Sequence, residues 1–515
     1  MTCPRRVKWR EGLLRSMKIY WRVSDLRHLG IFALLVFSVS LLLFEARRAM
    51  SRSAITEMGQ ALSGILGPDT ESSRAPGQCT TWPVRGRAGF NPGSHTLSAA
   101  LQRFTPPGGW KKPDGITIKA LVFYGRKRTV DFLDCYLQQN LAVNGGYLDE
   151  VWFMVHTGIE EDLIYLDRLI DQRRPHYKIV VPGECRGFNY ACMWNPVVED
   201  NTIYVKIDDD IVFIHPDAIP QLVSTRIAEP HPFAVSANLV NSPLTGYKHY
   251  DIGAIHPFLP DPNSKPSRRA AELWRPSDWK AFPKKYVPKI NQNSTDDIFT
   301  NEIMDQYIFA KPHYEGHPWL LLEDVEDALL KTPMGINKLR LLTNGAGSAY
   351  GAAWQSWMIS AQQQYSLLRN LELNNMWRYH FGTRIEYPEV VNSSAHASAL
   401  KFYDVHHLSP GAEQLYDTQY TRYNLNFVAL WGHDIKNALP IAEDDEQDIT
   451  VTKPIGFQRP FVIDTRAVVG HLSFFPQHDG IRQTDLLDRW RAFANEMICT
   501  ANNRKRPFDL RCPGY

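Results

Sequence analysis

Residues 204–219, YVKIDDDIVFIHPDAI, place three aspartates side by side between two apolar runs. Adjacent carboxylates repel one another, and the apolar flanks predict that Asp208, Asp209 and Asp210 adjoin buried structure rather than a floppy loop. Positive charge is therefore expected beside them.

The surrounding sequence alternates between strand-like and helix-like patterns. Strands are predicted at 117–124, 150–156, 177–181, 202–208 and 233–239, and helices at 129–142, 160–172 and 218–227. A long helix is predicted at 352–373 and a closing helix at 484–496, with mixed strands between them at 423–431, 459–464 and 467–475. Alternation at this spacing predicts an α/β fold with a mostly parallel sheet.

The acids follow the strand predicted at 202–208. In extended geometry Lys206, Asp208 and Asp210 point to one side, at the carboxyl end of the strand. Ligands bind at this edge of open α/β sheets. Carboxylate oxygens select Mg²⁺ or Mn²⁺, and such an ion would bridge phosphate oxygens. A solvated turn and a calcium site are the alternatives for three adjacent acids.

The N-terminus predicts a membrane anchor. Residues 29–44, LGIFALLVFSVSLLLF, carry no charge, and the preceding 1–27 are strongly basic. Sixteen helical residues span roughly 24 Å, which suits a thin membrane. The positive-inside rule then predicts a cytosolic tail at 1–27, an anchor at 28–44 and a lumenal body. A cleaved signal peptide is the alternative.

The rest of the chain divides by composition into a stem or linker at 45–115, an α/β half at 116–260, an insertion at 261–350 and a C-terminal half at 351–515. Glycosylation sequons begin at Asn293 and Asn392, as a lumenal body allows. Two short-range disulfides are candidates, one between Cys185 and Cys192 and another between Cys499 and Cys512. The formal charge of +2 over 515 residues gives no electrostatic case for nucleic acid as the main partner.

The segment VKIDDDIVFI, residues 205–214, resembles the Asp-x-Asp motif of metal-dependent nucleotide-sugar glycosyltransferases with the GT-A fold. The anchor and stem are similar to the layout of their Golgi members. The resemblance covers about residues 116–255. It implies a Rossmann-like, mostly parallel sheet flanked by helices, behind an N-terminal transmembrane helix. The implied donor is a UDP- or GDP-linked sugar, the acceptor a glycan or glycoconjugate, and the location a Golgi or ER membrane.

The resemblance also implies roles for individual residues. Asp208 and Asp209 are expected at the donor, with Asp208 near the ribose or a metal-bound water. Asp210 is expected to bind Mn²⁺ or Mg²⁺ together with Asp208. Tyr124, at the end of the first strand, is expected to stack on the nucleobase, with a buried core aromatic as the alternative. Arg126 is expected at the phosphates, and its neighbour Lys127 is a second candidate.

The resemblance further implies that a histidine from late in the chain completes the metal's shell. His471 in VVGHLSFFPQ is the preferred candidate, and a buried structural histidine is the alternative. His433 in LWGHDI competes with it. Both imidazoles are capable metal ligands when neutral.

Inverting transfer also needs a carboxylate that takes the proton of the acceptor hydroxyl. Asp434 is the predicted base, because Trp-Gly-x-Asp faintly resembles the acceptor-side acidic motif of inverting galactosyltransferases. The cluster at 444–446 is a second candidate, although acidic runs in loops are usually solvated. Glu323 and Asp324 form a third, weaker candidate on a predicted exposed helix face.

Other motifs argue against other chemistries. The sequence has no Gly-Lys-Ser/Thr phosphate loop, no HExxH and no Gly-x-Ser-x-Gly, and the glycines of residues 345–351 are wrongly spaced for a dinucleotide loop. Two further functions stay open beside the transferase. One is a lumenal glycosidase with paired carboxylates, and the other is a non-catalytic glycan-binding or assembly protein on the same fold.

Overall fold

The strand that carries the aspartates lies inside a nine-stranded sheet. The computed structural model describes residues 101, 103–183, 189–263, 274–276, 280–287, 318–337, 351–382 and 415–500. Its strands are β1 Thr117–Tyr124, β2 Glu150–Val155, β3 Tyr177–Val180, β4 Thr202–Asp208, β5 Ile211–Ile214, β6 Ala234–Val240, β7 Phe258–Pro260, β8 Trp319–Leu321, β9 Leu415–Asp417, β10 Phe427–Trp431 and β11 Phe461–His471.

Seven longer helices accompany these strands in the described part of the chain. They are α1 Val130–Asn140, α2 Glu160–Arg173, α3 Ala218–Ala228, α4 Pro243–Asp251, α5 Trp357–Glu372, α6 Gly432–Ala438 and α7 Leu486–Met497. Shorter helical segments include Ala191–Trp194, Pro333–Ile336, Gly351–Gln355, Asp445–Gln447, Lys453–Phe457 and His478–Ile481.

The sheet runs in the order β3-β2-β1-β4-β10-β6-β11-β5, and β9 pairs with β11. Strands β1, β2, β3 and β4 are parallel, and β6 and β11 are parallel to each other. Strand β10 is antiparallel to both β4 and β6, so β6 and β11 share the direction of β4. The predicted α/β fold with a mostly parallel sheet and flanking helices is confirmed, with β5, β9 and β10 as its antiparallel members.

Burial explains why these segments form central strands. All seven residues of β6 are buried, and so are all but the first of β1. A strand that is buried on both faces needs an almost continuous apolar run and a cover on each side. Helices supply the cover: α3 packs on β6, β10 and β11, while α1 and α7 pack on β5.

Strand directions bring several chain segments to one edge of the sheet. Strands β1, β4, β6 and β11 all end there, and β10 begins there, because Phe427 pairs with Ile207 near the end of β4. The residues that follow β4 and β11 therefore lie together with the residues that precede β10. This carboxyl edge is where the sequence predicts the site.

Most predicted elements between 117 and 240 are confirmed within one or two residues, and three differences have local causes. The two strands predicted at 459–464 and 467–475 are replaced by one strand, β11, which ends at His471 and contains a bulge. The predicted helix at 352–373 is interrupted at Ser356, whose side chain caps α5. Strand β5 was not predicted, because it turns out of β4 at the aspartates and pairs with β11 instead.

The disulfide pairing is also corrected. Cys499 is bonded to Cys135, 364 residues away, so its predicted bond to Cys512 is wrong. The bond joins Cys135 of α1 to Cys499, which lies two residues after the end of α7. Helices α1 and α7 pack together. Cys192 is disulfide-bonded as well, and its pairing with Cys185, which lies outside the described residues, stays a prediction.

The end of the predicted stem is held against the α/β body. Asp217, just before α3, accepts hydrogen bonds from the Arg103 side chain at 2.5 and 2.8 Å and from the Phe104 amide at 2.6 Å. The indole N–H of Trp110 donates to the same carboxylate at 2.8 Å. Residues 103–110 therefore belong to the folded part of the chain.

Several predictions lie outside the described residues. They are the anchor at 28–44, both sequons and the glycine-rich segment at 345–350. Within the ranges that the structure describes, no helix combines the length and the apolar character that a membrane crossing requires.

Candidate active site at the carboxyl edge

The aspartates form the turn between β4 and β5. Asp208 ends β4, and β5 begins at Ile211, which pairs with His471 at the end of β11. The amide of Leu472 donates to the backbone carbonyl of Asp210 at 3.0 Å. Because β5 leaves β4 and joins β11, the turn carries Asp210 across the edge to His471.

Asp210 and His471 form a buried pair. Oδ1 of Asp210 lies 3.4 Å from Nε2 of His471, and the other ring nitrogen lies 3.2 Å from the carbonyl of Asn241. Burial alone would lower the pKa of His471, but the Asp210 carboxylate raises it above its usual range. Burial alone would raise the pKa of Asp210, but His471 and Arg126 hold it well below its usual range.

Arg126 neutralises two of the three acids. Its Nη2 donates to Oδ1 of Asp209 and to Oδ2 of Asp210, each at 2.9 Å. The backbone amides of Gly125 and Arg126 donate to Oδ2 of Asp209 at 2.7 and 2.6 Å. The guanidinium also lies 3.1 Å from Nε2 of His478. Arg126, which follows the end of β1, therefore supplies much of the positive charge that the three aspartates require.

Asp208 has separate partners. It pairs with the buried Lys206, and Nδ2 of Asn426, just before β10, donates to its Oδ2 at 2.7 Å. Burial raises the pKa of Asp208 in spite of Lys206, and burial raises that of Asp209 in spite of Arg126. The three carboxylates thus occupy different environments, and Asp210 is the one whose pKa is lowered.

The donor set fits a divalent ion that is shared with a substrate. In the described ranges no group of three or more His, Cys, Asp or Glu side chains is arranged to hold a metal ion alone. Asp210 and His471 could supply two ligands, and Mg²⁺-type sites that include substrate phosphates need only one or two from the protein. The side-chain oxygens of Asn241 and Asn426 are buried at this edge, without a hydrogen-bond partner among the described residues. A site closed by protein ligands alone does not fit.

Asp434 does not belong to this site, so the predicted base is corrected. It lies at the start of α6, directly after the end of β10 that pairs with Ile203. Ile203 is five residues before Asp208, which is roughly 17 Å along a strand. Asp434 accepts hydrogen bonds from Arg226 at 2.6 Å and from Arg459 at 2.5 and 2.9 Å. Asp434 therefore forms structural ion pairs with Arg226 and Arg459 at the edge of the sheet opposite to the aspartates.

His433 lies at the same opposite edge and is not a candidate ligand. Its Nδ1 is 3.1 Å from the carbonyl of Asp200, and its side chain is half exposed. Glu323 and Asp324 are exposed in an irregular segment after β8 rather than on a helix. Neither carboxylate contributes to the aspartate site.

Tyr124 is a core residue, so its predicted stacking on a nucleobase is corrected. Its ring is fully buried, and its hydroxyl donates to the carbonyl of Asp162 at 2.7 Å. Burial and the nearby Asp162 carboxylate raise its pKa. The Lys127 amide donates to the same Asp162 side chain at 3.1 Å. Tyr190 is a partly exposed aromatic residue at this edge, and it lies 4.8 Å from the ring of His156.

The acidic cluster at 444–446 lies at the carboxyl edge. Asp445 Oδ2 accepts a 2.9 Å hydrogen bond from the indole of Trp194, while Glu446 contacts Arg422 at 2.9 Å. Burial raises the pKa of Asp445 and of Glu446, and Lys206 opposes both rises. Sequence reasoning treated this cluster as a solvated loop, and no local signal distinguishes it from one. Strand β10 leads away from the carboxyl edge, and only the return of the chain after β10 brings residues 444–446 to it.

Comparisons with known proteins do not identify the chain. No protein-family model matches it, and no curated protein does. Among solved structures, glucosyl-3-phosphoglycerate synthase from Mycobacterium tuberculosis, in complex with Mn²⁺, UDP and phosphoglyceric acid, is 18% identical, and the match covers 32% of this chain and 52% of that one. A mycobacterial protein is 16% identical over 32% and 51%. Both TM-scores are 0.20, which is too low to support an argument, and the matched region spans about half the length of each structure.

Proposed function

We propose that this protein is a metal-dependent glycosyltransferase that moves a sugar from a UDP- or GDP-linked donor to a glycan or glycoconjugate acceptor. One observation carries the proposal: Asp210 faces His471 at 3.4 Å, at the edge of an α/β sheet where two strands end. Oxygen and imidazole ligands at that edge suit a diphosphate-bound cation. The proposed setting is the lumen of the Golgi or ER, behind the anchor predicted at 28–44.

Each side chain of the edge has a role in this proposal. Asp210 and His471 would hold the cation, which would supply Lewis-acid stabilisation of the leaving diphosphate when bound. Lys206 and Asn426 orient Asp208 toward the donor. Asp209, bound by two backbone amides, keeps the loop after β1 beside the turn.

Arg126 exchanges partners when donor and cation bind. Its side chain is 43% exposed, so it can leave the carboxylates without a large packing loss. A guanidinium matches phosphate oxygens as well as it matches carboxylates. In the proposed cycle Arg126 holds the acids together in the free protein and contacts the donor phosphates in the complex.

Asp445 is the proposed general base in place of Asp434. The Trp194 indole orients one of its oxygens, and Oδ1 has no hydrogen-bond partner among the described residues. Burial raises its pKa, which makes the carboxylate a better proton acceptor. Burial raises the pKa of Tyr190, and the charges of Asp208, Asp209 and Asp445 raise it further.

We expect Asp445→Asn to lower donor turnover by about 10²–10⁴-fold, because the amide cannot accept the proton. Nucleotide release from the donor sugar should be measured on the full-length chain, with water as the acceptor. The donor-induced rise in melting temperature should persist, since Asp445 does not hold the cation. Asp444→Asn is the matched control, because asparagine caps a helix as well as aspartate does. Unchanged turnover in Asp445→Asn would assign the base elsewhere.

A non-catalytic glycan-binding protein is the second candidate, and Arg126 favours it. The guanidinium already bridges Asp209 and Asp210, where the transferase hypothesis places a cation close by. If that bridge is permanent, neither metal nor nucleotide is needed.

A panel of nucleotide sugars separates the two functions. Melting of the full-length chain should be followed with UDP-glucose, UDP-galactose, UDP-N-acetylglucosamine and GDP-mannose, each with Mn²⁺ or with EDTA. A ligand that binds only the native state raises the melting temperature in proportion to the logarithm of its concentration above Kd. If the protein is a transferase, at least one donor should raise the melting temperature in the presence of Mn²⁺, and EDTA should abolish this rise. No rise with any donor, or a rise that EDTA leaves intact, would favour the metal-free function.

A further inference from the structure

A cavity of about 540 Å³ lies between the 103–111 segment and α3. Its lining includes Phe104, Trp110, Tyr147 and Glu229, together with Arg466 of β11. None of its lining residues belongs to the aspartate site. Its volume falls within the range of small-molecule sites in proteins.

Three aromatic side chains form much of its wall, and the polar atoms of two are already used. The Trp110 indole N–H donates to Asp217 at 2.8 Å, and the Tyr147 hydroxyl donates to the carbonyl of Lys111 at 2.6 Å. These bonds fix the rings in position. The rings therefore offer the cavity rigid apolar surface, and the negative face of an aromatic ring attracts polarised C–H groups.

Glu229 is the unusual polar group of the cavity. It follows the last residue of α3 and is only 7% exposed, and no described group hydrogen-bonds or ion-pairs with its carboxyl. Its backbone, in contrast, is satisfied, since its amide donates to Thr225 at 2.8 Å and its carbonyl accepts from Arg226 at 2.9 Å. Burial raises the pKa of Glu229 to about 7. A mostly buried carboxyl without a protein partner destabilises the fold, and a ligand in this cavity would supply the missing hydrogen bonds.

The charges around Glu229 restrict what that ligand is. Lys111 and Arg466 line the same cavity and disfavour a cationic ligand, while the Glu229 carboxylate disfavours an anion. The remaining polar side chains there are largely engaged, because Gln221 and Thr225 both donate to Asp464, at 2.7 and 2.6 Å. A neutral molecule that presents hydroxyl groups to Glu229 and C–H groups to the aromatic rings matches both restrictions.

We propose that this cavity is a metal-independent saccharide site, in which Glu229 accepts hydrogen bonds from ring hydroxyls and the aromatic wall packs against the sugar face. The proposal goes beyond the transferase function and does not depend on it. The aspartate site binds through a cation, whereas this site contains none of the proposed cation ligands.

Saturation-transfer NMR on the full-length chain in EDTA tests the proposal. The probes are methyl α-mannoside, methyl β-glucoside, lactose and chitotriose, without nucleotide. We expect saturation transfer to at least one probe in the wild-type protein. In Glu229→Gln the transferred signal should fall at least about tenfold. In Glu161→Gln, which changes an exposed residue of α2, the signal should stay the same. Ala228→Trp, which adds bulk from an exposed position of the lining, should also remove the signal.

Thermal melting shows whether Glu229→Gln is folded. The folded pKa of Glu229 is raised, so its contribution to stability is complete below about 4.5 and is lost as the pH rises through about 7. Glu229→Gln should therefore melt above wild type at pH 8, and this difference should be much smaller at pH 4.5. No transfer to any probe, or transfer that both cavity variants retain, would overturn the proposal. Because EDTA is present throughout, either result leaves the transferase test unaffected.

Discussion

Asp210→Asn should abolish the Mn²⁺-dependent rise in melting temperature with the active donor and lower donor turnover by about 10²–10³-fold. The change removes the negative charge that faces His471 at 3.4 Å and leaves an amide, which is a poor cation ligand. Losing one preorganised electrostatic group of a reaction centre typically has an effect of this size. Turnover should be measured as nucleotide release with Mn²⁺, at a donor concentration well above Kd.

Two further variants make this result specific. Asp479→Asn is the matched control, because that carboxylate is 95% exposed in the short helix beside the site, and it should behave as wild type. His471→Asn is the second test of the pair and should lose the same Mn²⁺ response, even if Asp210→Asn proves unstable. A normal Mn²⁺ response in both site variants would show that the cation does not bind at this edge. That result would favour the non-catalytic glycan-binding function, in which Arg126 neutralises the acids without a metal.

Asp434→Asn should destabilise the fold by about 3–5 kcal/mol, the largest stability effect we predict. Asp434 pairs with Arg226, which is 1% exposed, and with Arg459, so the substitution leaves a buried guanidinium without its counter-charge. These contacts join α3 to α6 and to the segment before β11. Urea unfolding of the full-length chain measures the loss.

The same variant distinguishes a structural role from a catalytic one. At a temperature where Asp434→Asn is still folded, it should bind and turn over the donor like wild type, since Asp434 lies at the opposite edge from Asp208. Asp171→Asn, an exposed aspartate of α2 with a surface ion pair, should change stability by less than about 1 kcal/mol. A stable Asp434→Asn protein that has lost turnover would restore Asp434 as the base.

The sequence predicted the frame of the site because that information is local. Short apolar runs predicted β1 and β4, and the side-chain parity of β4 placed its acids at a carboxyl edge. His471 was found by its strand-like surroundings, and β11 does bring it to the acids. Each of these inferences depends on residues within one element and on the general rule for open α/β sheets.

The sequence did not predict the partners of the acids. Arg126 was assigned to phosphate, yet in the free protein it bridges Asp209 and Asp210. Asp434 was preferred and the cluster at 444–446 was set aside, whereas the structure places Asp445 at the site edge beside Trp194 and buries Asp434 between arginines. Asp434 and Asp445 are only eleven residues apart in the chain, yet they lie at opposite edges of the sheet. Motif similarity within a short segment does not carry that information.

What the sequence alone determined is the α/β class, the central strands and the position of the acids on them, because burial and side-chain parity repeat within a few residues. What only the tertiary structure decided is which distant groups meet those acids. Antiparallel insertion of β10 and the departure of β5 to β11 bring residues 426, 445 and 471 to one edge and carry residue 434 to the other. Charge pairing acts over a few ångströms of space, and chain separation carries no information about it until the strand order is known.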